Sequence, residues 1–292
     1  MKTIKKAVIL AGGFGTRFLP ITKAIPKEML PIIDRPVIDY IVDECLESGI
    51  EEIYIISNNK KSSLKNYFEN NYTLNSHLKK HNKEKDLKIL SNLNDLKKIK
   101  IFEEDINDLK GDGYALKRIR KYMKNEPFAL IYGDDLMYSK NKPVLKQLIE
   151  MYEKTNSNII AVRTVEDKDI HKYGIIEYEK DNKIKNIIEK PSLENAPSND
   201  AGIGRYILSE NFFSELDSLE PNEKGEYQAI EVTSRLIRKE SAYACKFEGN
   251  YYDTGSKLGY LKANIDYALN NEQLHYDILN HITEIVENKK NS

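Results

Sequence analysis

Short runs of apolar residues alternate with stretches of helical period along most of this chain. The apolar runs are bounded by turn residues and predict strands at residues 6–11, 52–57, 99–102, 128–132, 157–163, 173–178, 183–189, 201–208 and 242–247. Apolar positions three or four apart predict helices at residues 37–48, 113–124, 210–217 and 227–239, and from residue 257 onward. This alternation is typical of an α/β protein, in which helices flank a mainly parallel sheet.

Residues 70–98 depart from the alternation, because they are rich in Asn, Lys and Ser and have only weak periodicity. We expect an excursion from the sheet there. The chain has no internal repeat and no linker rich in Pro or Gly. We therefore predict one domain over residues 1–256, followed by a helical segment over residues 257–292 that is suited to an oligomer interface.

The charge balance limits the classes of partner. Among 292 residues, 45 Lys and Arg side chains oppose 46 Asp and Glu side chains, which gives a net charge of -1. Without an overall basic field we expect no nucleic-acid partner, and we expect any recognition of phosphate to be local. No run approaches the ~18 apolar residues of a membrane-spanning helix, so we expect no membrane span and a cytoplasmic protein.

Cysteine and histidine supply no candidate nucleophile or base. Cys45 and Cys245 lie 200 positions apart without CxxC spacing, and their apolar surroundings predict buried structural thiols. The histidines are scattered among polar residues, and we expect them to be exposed to solvent. They are His77, His81, His171, His275 and His281.

A glycine-rich segment, AGGFGTRFLP at residues 11–20, follows the first predicted strand. Its three glycines in four positions let the backbone approach a ligand and direct N–H groups at phosphate oxygens. A tight turn alone would need fewer glycines and no arginine. The segment differs from the dinucleotide fingerprint, because Phe18 stands where the third glycine belongs. It differs from a P-loop as well, because Gly15 precedes Thr16 and Arg17 instead of Lys and Ser.

The segment continues into a basic stretch that contains Arg17, Lys23 and Lys27. Prolines at positions 20, 26, 31 and 36 prevent a regular helix and stiffen an extended loop. Fixed cations beside a glycine turn suit a polyphosphate, since a leaving pyrophosphate needs neutralisation. The residues by themselves therefore indicate a phosphate-binding segment.

The same segment resembles the signature of the sugar-phosphate nucleotidyltransferases, since AGGFGTR at residues 11–17 is followed by KAIPKEMLP at residues 23–31. The likeness extends over nearly the whole chain and is strongest to the bacterial uridylyltransferases. Further blocks are GDD at 133–135, IEKP at 188–191, GRYIL at 204–208 and YDTGSKLGYLKAN at 252–264. So many blocks in one order make chance agreement negligible.

The resemblance implies a Rossmann-like, three-layer α/β fold of the nucleotide-diphospho-sugar transferase type, with a mixed, mainly parallel sheet and a helical C-terminal segment. It implies uridylyl transfer from UTP to glucose 1-phosphate, with Mg²⁺ as cofactor and a homodimer or homotetramer as assembly. The implied catalytic residues are Arg17, Lys27 and Lys190. The implied ligands are Ala11, Gly12, Gly13, Gly15, Thr16 and Gly113 for the nucleotide, Gly174, Glu189 and Lys190 for the sugar phosphate, and Asp134 and Asp253 for Mg²⁺.

The chemistry of such a transfer agrees with these residues. The second pKa of a phosphate monoester is about 6, so the attacking phosphate is already largely ionised and needs no general base. The obstacle is to bring two polyanions together, which calls for a hard cation with carboxylate ligands and for fixed Lys and Arg side chains. In isolation, Asp134 suits a turn and Asp253 a helix cap; beside a phosphate-binding loop, both suit a metal ion.

The segment expected to read the base departs from the family pattern. Uridylyltransferases carry a Gln shortly before a KGLGHA block, whereas this chain has FEEDINDLKGDGYA at residues 102–115. Gly113 and Ala115 align, but no Gln is present, which leaves Glu103, Glu104 or Asn107 as candidates. We expect UTP to remain the preferred nucleotide.

Three alternatives remain open at this point. The chain could be a thymidylyl- or cytidylyltransferase on the same scaffold, a glycosyltransferase that holds a metal ion with Asp134 and Asp135, or a degenerate homologue that binds nucleotides for regulation. The glycine segment with Arg17 and Lys27 disfavours the glycosyltransferase, because a bound nucleotide sugar needs no pyrophosphate cradle. The presence of both cations and both aspartates disfavours the degenerate homologue.

Overall fold

The computed structural model describes residues 3–58, 62–93, 98–105 and 110–290. Its strands are β1 (Lys6–Leu10), β2 (Pro31–Ile32), β3 (Arg35–Pro36), β4 (Glu52–Asn58), β5 (Ile99–Glu104), β6 (Phe128–Tyr132), β7 (Asp135–Tyr138), β8 (Asn158–Thr164), β9 (Gly174–Tyr178), β10 (Ile184–Glu189), β11 (Asp200–Leu208), β12 (Ala242–Lys246) and β13 (Asn250–Asp253). Its α-helices are α1 (Val37–Glu47), α2 (Ser62–Phe68), α3 (Tyr72–Lys80), α4 (Glu84–Leu93), α5 (Asp112–Lys117), α6 (Arg120–Met123), α7 (Val144–Thr155), α8 (Phe212–Asp217), α9 (Ala229–Lys239), α10 (Lys257–Leu269) and α11 (His275–Lys290).

Within these ranges, nine strands form one mixed sheet, in which β5, β4, β1 and β6 are parallel neighbours. Strand β11 pairs antiparallel with β6 and with β8, and β12 is parallel to β8. Strands β9 and β10 form an antiparallel pair beside the first residues of β11. The glycine-rich segment follows β1 and Asp134 follows β6. Both therefore lie at the same edge of the sheet, where ligands of open α/β sheets bind.

Helices cover both faces of the sheet. On one face, Ile9 of β1 belongs to a core cluster with Ile41 of α1 and Leu148 of α7. On the other face, Val8 belongs to a cluster with Leu116 of α5. Val8 and Ile9 are adjacent and fully buried, and their side chains point to opposite faces, as successive residues of a strand do. The three-layer α/β arrangement is thus as predicted.

The predicted boundaries agree with the structure to within two residues for the strands and for the helices α1, α8 and α9. The predicted helix at 113–124 is wrong as a single element, because a turn at Arg118 and Ile119 separates α5 from α6. That turn buries Ile119 fully while the Arg118 guanidinium donates to the carbonyl of Glu103 at 3.0 Å.

Some helices are absent from the predicted elements. The excursion at residues 70–98 contains α3 and α4, although its periodicity is weak, and α3 is capped by Asn71, which accepts from Leu74 N at 3.0 Å. Helix α7 carries a clear helical period, in which Val144, Leu148 and Tyr152 are all buried. Across the described part of the chain, no helix has both the length and the apolar character that a bilayer crossing requires.

Helix α10 is fastened to the rest of the molecule. The phenol of Tyr252 donates to Asp266 at 2.7 Å, and the side-chain Oδ1 of Asn264 accepts from the backbone N–H of Ile33 at 3.2 Å. Helix α11 has no buried residue. The boundary at residue 256 stays a prediction. The two cysteines are buried and free, as predicted.

Candidate active site

The glycine-rich segment is held by side chains from its surroundings. Gly15 has φ 67°, a left-handed conformation that suits glycine, and its carbonyl accepts from Thr22 Oγ1 at 2.8 Å. Asn58, at the end of β4, donates to the carbonyl of Gly12 at 2.7 Å. A Cβ atom on Gly12 would meet nothing within 4 Å, so the segment leaves open space beside it.

Two cations connect this segment to the carboxylates opposite. Lys27 Nζ lies 2.5 Å from Asp134 Oδ2. Burial alone would lower the pKa of Lys27, but the charge of Asp134 raises this pKa above its ordinary value. The same ammonium lies 3.5 Å from the position of a Cβ on Gly13. The exposed Arg17 reaches toward Asp253 Oδ2 at 3.5 Å and donates to the Gly255 carbonyl at 3.3 Å. Both cations therefore face the same acidic group.

Three aspartates form that acidic group. Asp134 follows β6, and Asp135 pairs with Asp253 across the two-stranded sheet of β7 and β13. Burial, and then the charge of Asp134, raise the pKa of Asp135 to about 7, and the same two causes raise the pKa of Asp253. The phenol of Tyr251 donates to Asp135 Oδ1 at 2.7 Å. The structure thus brings three carboxylates together, and burial with charge repulsion disfavours the ionisation of Asp135 and Asp253.

The chemistry of Asp134 and Asp253 suits a divalent cation. A Cβ atom on Gly255 would lie 2.4 Å from Asp134 Oδ2 and 3.0 Å from Asp253 Oδ1, so both carboxylates pack closely against this glycine and lie near each other. No group of three or more His, Cys, Asp or Glu side chains within the described ranges is arranged to hold a metal ion. Two carboxylates with water and phosphate oxygens are nevertheless a typical donor set for Mg²⁺.

A cleft of about 1090 Å³ opens from these aspartates toward β9 and β10. Glu189, the last residue of β10, is paired with Gly174, and its Oε2 lies 3.1 Å from the position of a Cβ on that glycine. Lys190 follows with a left-handed φ of 46°, and its Nζ lies 3.0 Å from Glu189 Oε1. One end of the cleft therefore presents a carboxylate and an ammonium side by side, beside a glycine where no side chain fits.

A sequence model described as Nucleotidyl transferase matches residues 6–270 of the chain. The chain belongs to this nucleotidyl transferase family. The match begins at β1 and ends just after α10, so it includes the glycine segment, the three aspartates and the Glu189–Lys190 pair.

Relatives of this nucleotidyl transferase share its full length. It is 40% identical over 289 residues to UTP–glucose-1-phosphate uridylyltransferase 2 of Staphylococcus saprophyticus, covering 98% of this chain and 99% of the relative. A crystal structure of UDP-glucose pyrophosphorylase complexed with UDP-glucose is 39% identical, with a TM-score of 0.80 over 92% of this chain and 100% of that one. UTP-bound UGPase from Acinetobacter baumannii is 31% identical, with a TM-score of 0.87 over 97% of this chain and 99% of that one. These likenesses confirm the predicted fold type.

The predicted site residues of the nucleotidyl transferase fall into two sets. Those that line the cleft are Arg17, Asp134, Gly174, Glu189, Lys190 and Asp253. Those that lie beside it, on the glycine segment, on the basic stretch or on α5, are Ala11, Gly12, Gly13, Gly15, Thr16, Lys27 and Gly113. The N–H of Ala11 donates to the Ile56 carbonyl and that of Gly113 to the Tyr227 carbonyl, each at 2.8 Å. A nucleotide would therefore contact these two residues through other atoms.

The candidates for reading the base do not reach the cleft as far as the structure describes them. Glu104 is buried and its Oε1 lies 3.7 Å from the Arg118 guanidinium, and neither it nor Glu103 is among the cleft-lining residues. Asn107 lies outside the described residues. The expectation that histidines are exposed holds for four of them, while His275 is half-buried.

The cleft also contains polar residues to which the sequence analysis assigned no role. Asp112 and Tyr132 line it together with Tyr206 and Gln228. The sequence feature that could have pointed to Asp112 is a departure from the KGLGHA block, since Asp112 stands between Gly111 and Gly113 where that block has Leu. A single unusual residue does not reveal what it contacts, and Tyr132 ends a strand like any other aromatic residue.

Proposed function

We propose that this nucleotidyl transferase transfers a uridylyl group from UTP to α-D-glucose 1-phosphate and releases UDP-glucose and pyrophosphate. The observation that carries the proposal is the convergence of Asp134 and Asp253 beside Gly255, with Lys27 and Arg17 in contact with them. The names and bound molecules of the full-length relatives support this choice of substrates.

The nucleotide side of the site belongs to the glycine segment and its cations. Arg17 and Lys27 neutralise the triphosphate and stabilise the charge that develops on the leaving pyrophosphate. We assign the nucleotide contacts to Ala11, Gly12, Gly13, Gly15, Thr16 and Gly113. The Lys27 ammonium remains protonated, since its pKa is raised by the neighbouring aspartates, and it is therefore a permanent positive charge at this point.

The acceptor side belongs to the other end of the cleft. Gly174 and Glu189 contact hydroxyl groups of the sugar, and Lys190 holds the phosphate of glucose 1-phosphate. Held in this way, a phosphate oxygen of the acceptor attacks the α-phosphorus of UTP, the new P–O bond forms in line, and the bond to pyrophosphate breaks. The acceptor phosphate is ionised at neutral pH, so the side chains position and neutralise but accept no proton.

Asp134 and Asp253 are assigned to hold Mg²⁺. When bound, the ion supplies neutralisation of phosphate oxygens and orientation of the two substrates. The chain itself keeps Asp134 in place, because the backbone N–H and the hydroxyl of Thr254 both donate to the Asp134 carbonyl, at 2.9 and 2.7 Å.

The test is pyrophosphate release with glucose 1-phosphate and Mg²⁺, compared among UTP, dTTP, CTP, ATP and GTP at matched concentration. We expect strong release with UTP alone. Equal release with dTTP or CTP would contradict uridylyl specificity while keeping the nucleotidyl transfer. No release with any of the five would contradict the proposed reaction.

We further propose a cytoplasmic homodimer or homotetramer, assembled through the helices from residue 257 onward. Exposed apolar side chains on α10 and α11 support this interface, and they are Leu258, Leu261, Ile265, Tyr276, Leu279, Ile285 and Val286. Light scattering at micromolar concentration should give a mass of two or four times 33.8 kDa. Replacement of Leu261 by Glu should shift it toward the monomer, and a monomeric wild-type protein would contradict the proposal.

A further inference from the structure

We propose that Tyr132 and Asp112 form a hydroxyl-recognising pair in the wall of the acceptor end of the cleft, and that this pair makes the enzyme selective for a fully hydroxylated hexose. The inference rests on the proposed function, because it concerns the acceptor of that reaction. Its observations are the contacts of the two side chains and their place in the cleft.

The two side chains are linked and still have hydrogen-bonding capacity. Tyr132 OH donates to Asp112 Oδ2 at 3.1 Å. Asp112 Oδ1 accepts from the backbone N–H groups of Gly113 and Ala229, both at 2.8 Å, so that oxygen is fully used. A phenol oxygen can accept as well as donate, and a carboxylate oxygen can accept two hydrogen bonds. Tyr132 OH and Asp112 Oδ2 can therefore each accept from a hydroxyl group.

The pair lies next to the subsite assigned to sugar hydroxyls. Asp112 holds the first residue of α9, and the next residue, Ile230, places its Cδ1 3.8 Å from the position of a Cβ on Gly174. Glu189 Oε2 lies 3.1 Å from that same position. The first turn of α9 thus links Asp112, through Ala229 and Ile230, to the Gly174 and Glu189 subsite.

Tyr206 completes the wall between these groups. Its ring centroid lies 6.1 Å from that of Tyr132, and its side chain is buried. Burial raises the pKa of the Tyr206 phenol, and so do the charges of Asp135, Glu189 and Asp112, in that order. One aromatic residue therefore lies within reach of the acidic group, of the acceptor subsite and of the proposed pair.

The chemistry of the pair suits a neutral polyol. The phenol oxygen and the carboxylate oxygen can both accept hydrogen bonds from hydroxyl groups. A pocket built to pair a hydroxyl leaves polar groups unpaired when the substrate lacks that hydroxyl, and it therefore rejects the deoxy analogue strongly. The adjacent Ile230 offers no such partner and acts only as an apolar wall.

The test is Tyr132→Phe, which removes only the phenolic oxygen. Values of kcat/KM are measured at saturating UTP for glucose 1-phosphate and for its 2-, 3-, 4- and 6-deoxy analogues. We expect the variant to lose about 10- to 100-fold with glucose 1-phosphate, while its value for one deoxy analogue stays at that of the wild type. That analogue identifies the hydroxyl, and the KM for UTP should not change.

The matched control is Tyr178→Phe, since Tyr178 makes the same kind of bond, from its phenol to Asp200 at 2.6 Å, away from the cleft-lining residues. It should leave the ratio of glucose 1-phosphate to every analogue unchanged. An equal loss of Tyr132→Phe with all five acceptors, or no loss at all, would overturn the inference. No turnover of glucose 1-phosphate by the wild type would instead contradict the proposed function, and this inference with it.

Discussion

Two ion pairs of nearly equal length behave differently in this molecule. Arg205 Nη2 lies 2.6 Å from Glu44 Oε2 in the core, and Lys27 Nζ lies 2.5 Å from Asp134 Oδ2 at the cleft. Every part of the core pair is engaged: Arg205 Nε also reaches Glu44, its Nη1 donates to Gly204, and the other Glu44 oxygen accepts from Leu145 N at 2.9 Å. The charges and hydrogen-bonding groups of the core pair are therefore satisfied within the core.

The charges of the Lys27–Asp134 pair at the cleft are not balanced in this way. Its side chains keep 17% and 22% of their surface exposed, and Asp135 and Asp253 add negative charge beside Asp134. Arg17 neutralises this negative charge only in part, because its guanidinium lies 3.5 Å from Asp253 and is largely exposed to solvent. The same type of ion pair thus stabilises the scaffold in the core and leaves surplus negative charge at the cleft. Surplus charge with a defined geometry is what a ligand can complete.

The largest expected effect comes from Asp253→Asn. Loss of the carboxylate removes a proposed ligand of Mg²⁺, an ion that would contribute several kcal/mol to the transition state, so kcat should fall by about 10³-fold or more. The melting temperature of the metal-free variant should be unchanged or higher, because the repulsion between Asp134 and Asp253 is gone. Pyrophosphate release and thermal unfolding give the two values, with exposed Asp277→Asn as the control. Near-normal activity would remove Asp253 from the mechanism.

Arg205→Met should act on the scaffold alone. It leaves the Glu44 carboxylate buried without its cation, which should lower the free energy of unfolding by about 3–5 kcal/mol in urea titrations. Adding Glu44→Gln should restore much of that loss, because the buried charge is then removed as well. A single variant as stable as the wild type would mean that the core pair does not hold the scaffold.

Lys27→Met tests the other side of the comparison. We expect kcat to fall by about 10²- to 10³-fold, as for the loss of one preorganised electrostatic contact. The free energy of unfolding should fall by less than it does for Arg205→Met, because the Asp134 carboxylate left behind keeps 22% of its surface exposed to water. Lys154→Met, at an exposed lysine on α7, is the control and should alter neither value. A large loss of stability with retained activity would reverse the assignment.

The smallest effect is expected at Asp200, a buried scaffold acid. Burial alone would raise its pKa, but hydrogen bonds from Lys246, Thr164 and Tyr178 outweigh burial and hold it below its ordinary value. The folded state therefore binds its proton less readily than the unfolded state, and the stabilisation is present above about pH 4 and lost as the pH falls further. Asp200→Asn should cost about 1 kcal/mol at pH 7, and the difference from wild type should shrink toward pH 3. A constant difference across that range would contradict the pKa shift.

The sheet, and the segments from which the candidate site is built, could be predicted from the sequence for physical reasons that can be named. Strands such as β1 and β6 are continuous apolar runs because they are buried on both faces, and such runs are visible without a structure. The glycine segment was recognisable because several requirements for binding phosphate fall within a few consecutive residues. Helices α3 and α4 were missed because most of their residues are exposed and few of them are apolar.

Pairs between distant positions were beyond such reasoning. Arg205 and Glu44 lie 161 positions apart, and neither residue shows in its local sequence that it is buried. The contact of Tyr132 with Asp112 has the same character, since it depends on how β6 meets α5. Sequence patterns report what a residue needs from its neighbours in the chain, and these contacts depend on neighbours in space.

Gly255 shows how closely the arrangement of Asp134 and Asp253 depends on one small residue. Its backbone lies outside the left-handed region, so alanine fits the local conformation, but the added methyl group would come within 2.4 Å of Asp134 Oδ2. Every glycine codon becomes an alanine codon by one change at its second base. A single point mutation therefore suffices to press a methyl group against a carboxylate that we assign to Mg²⁺.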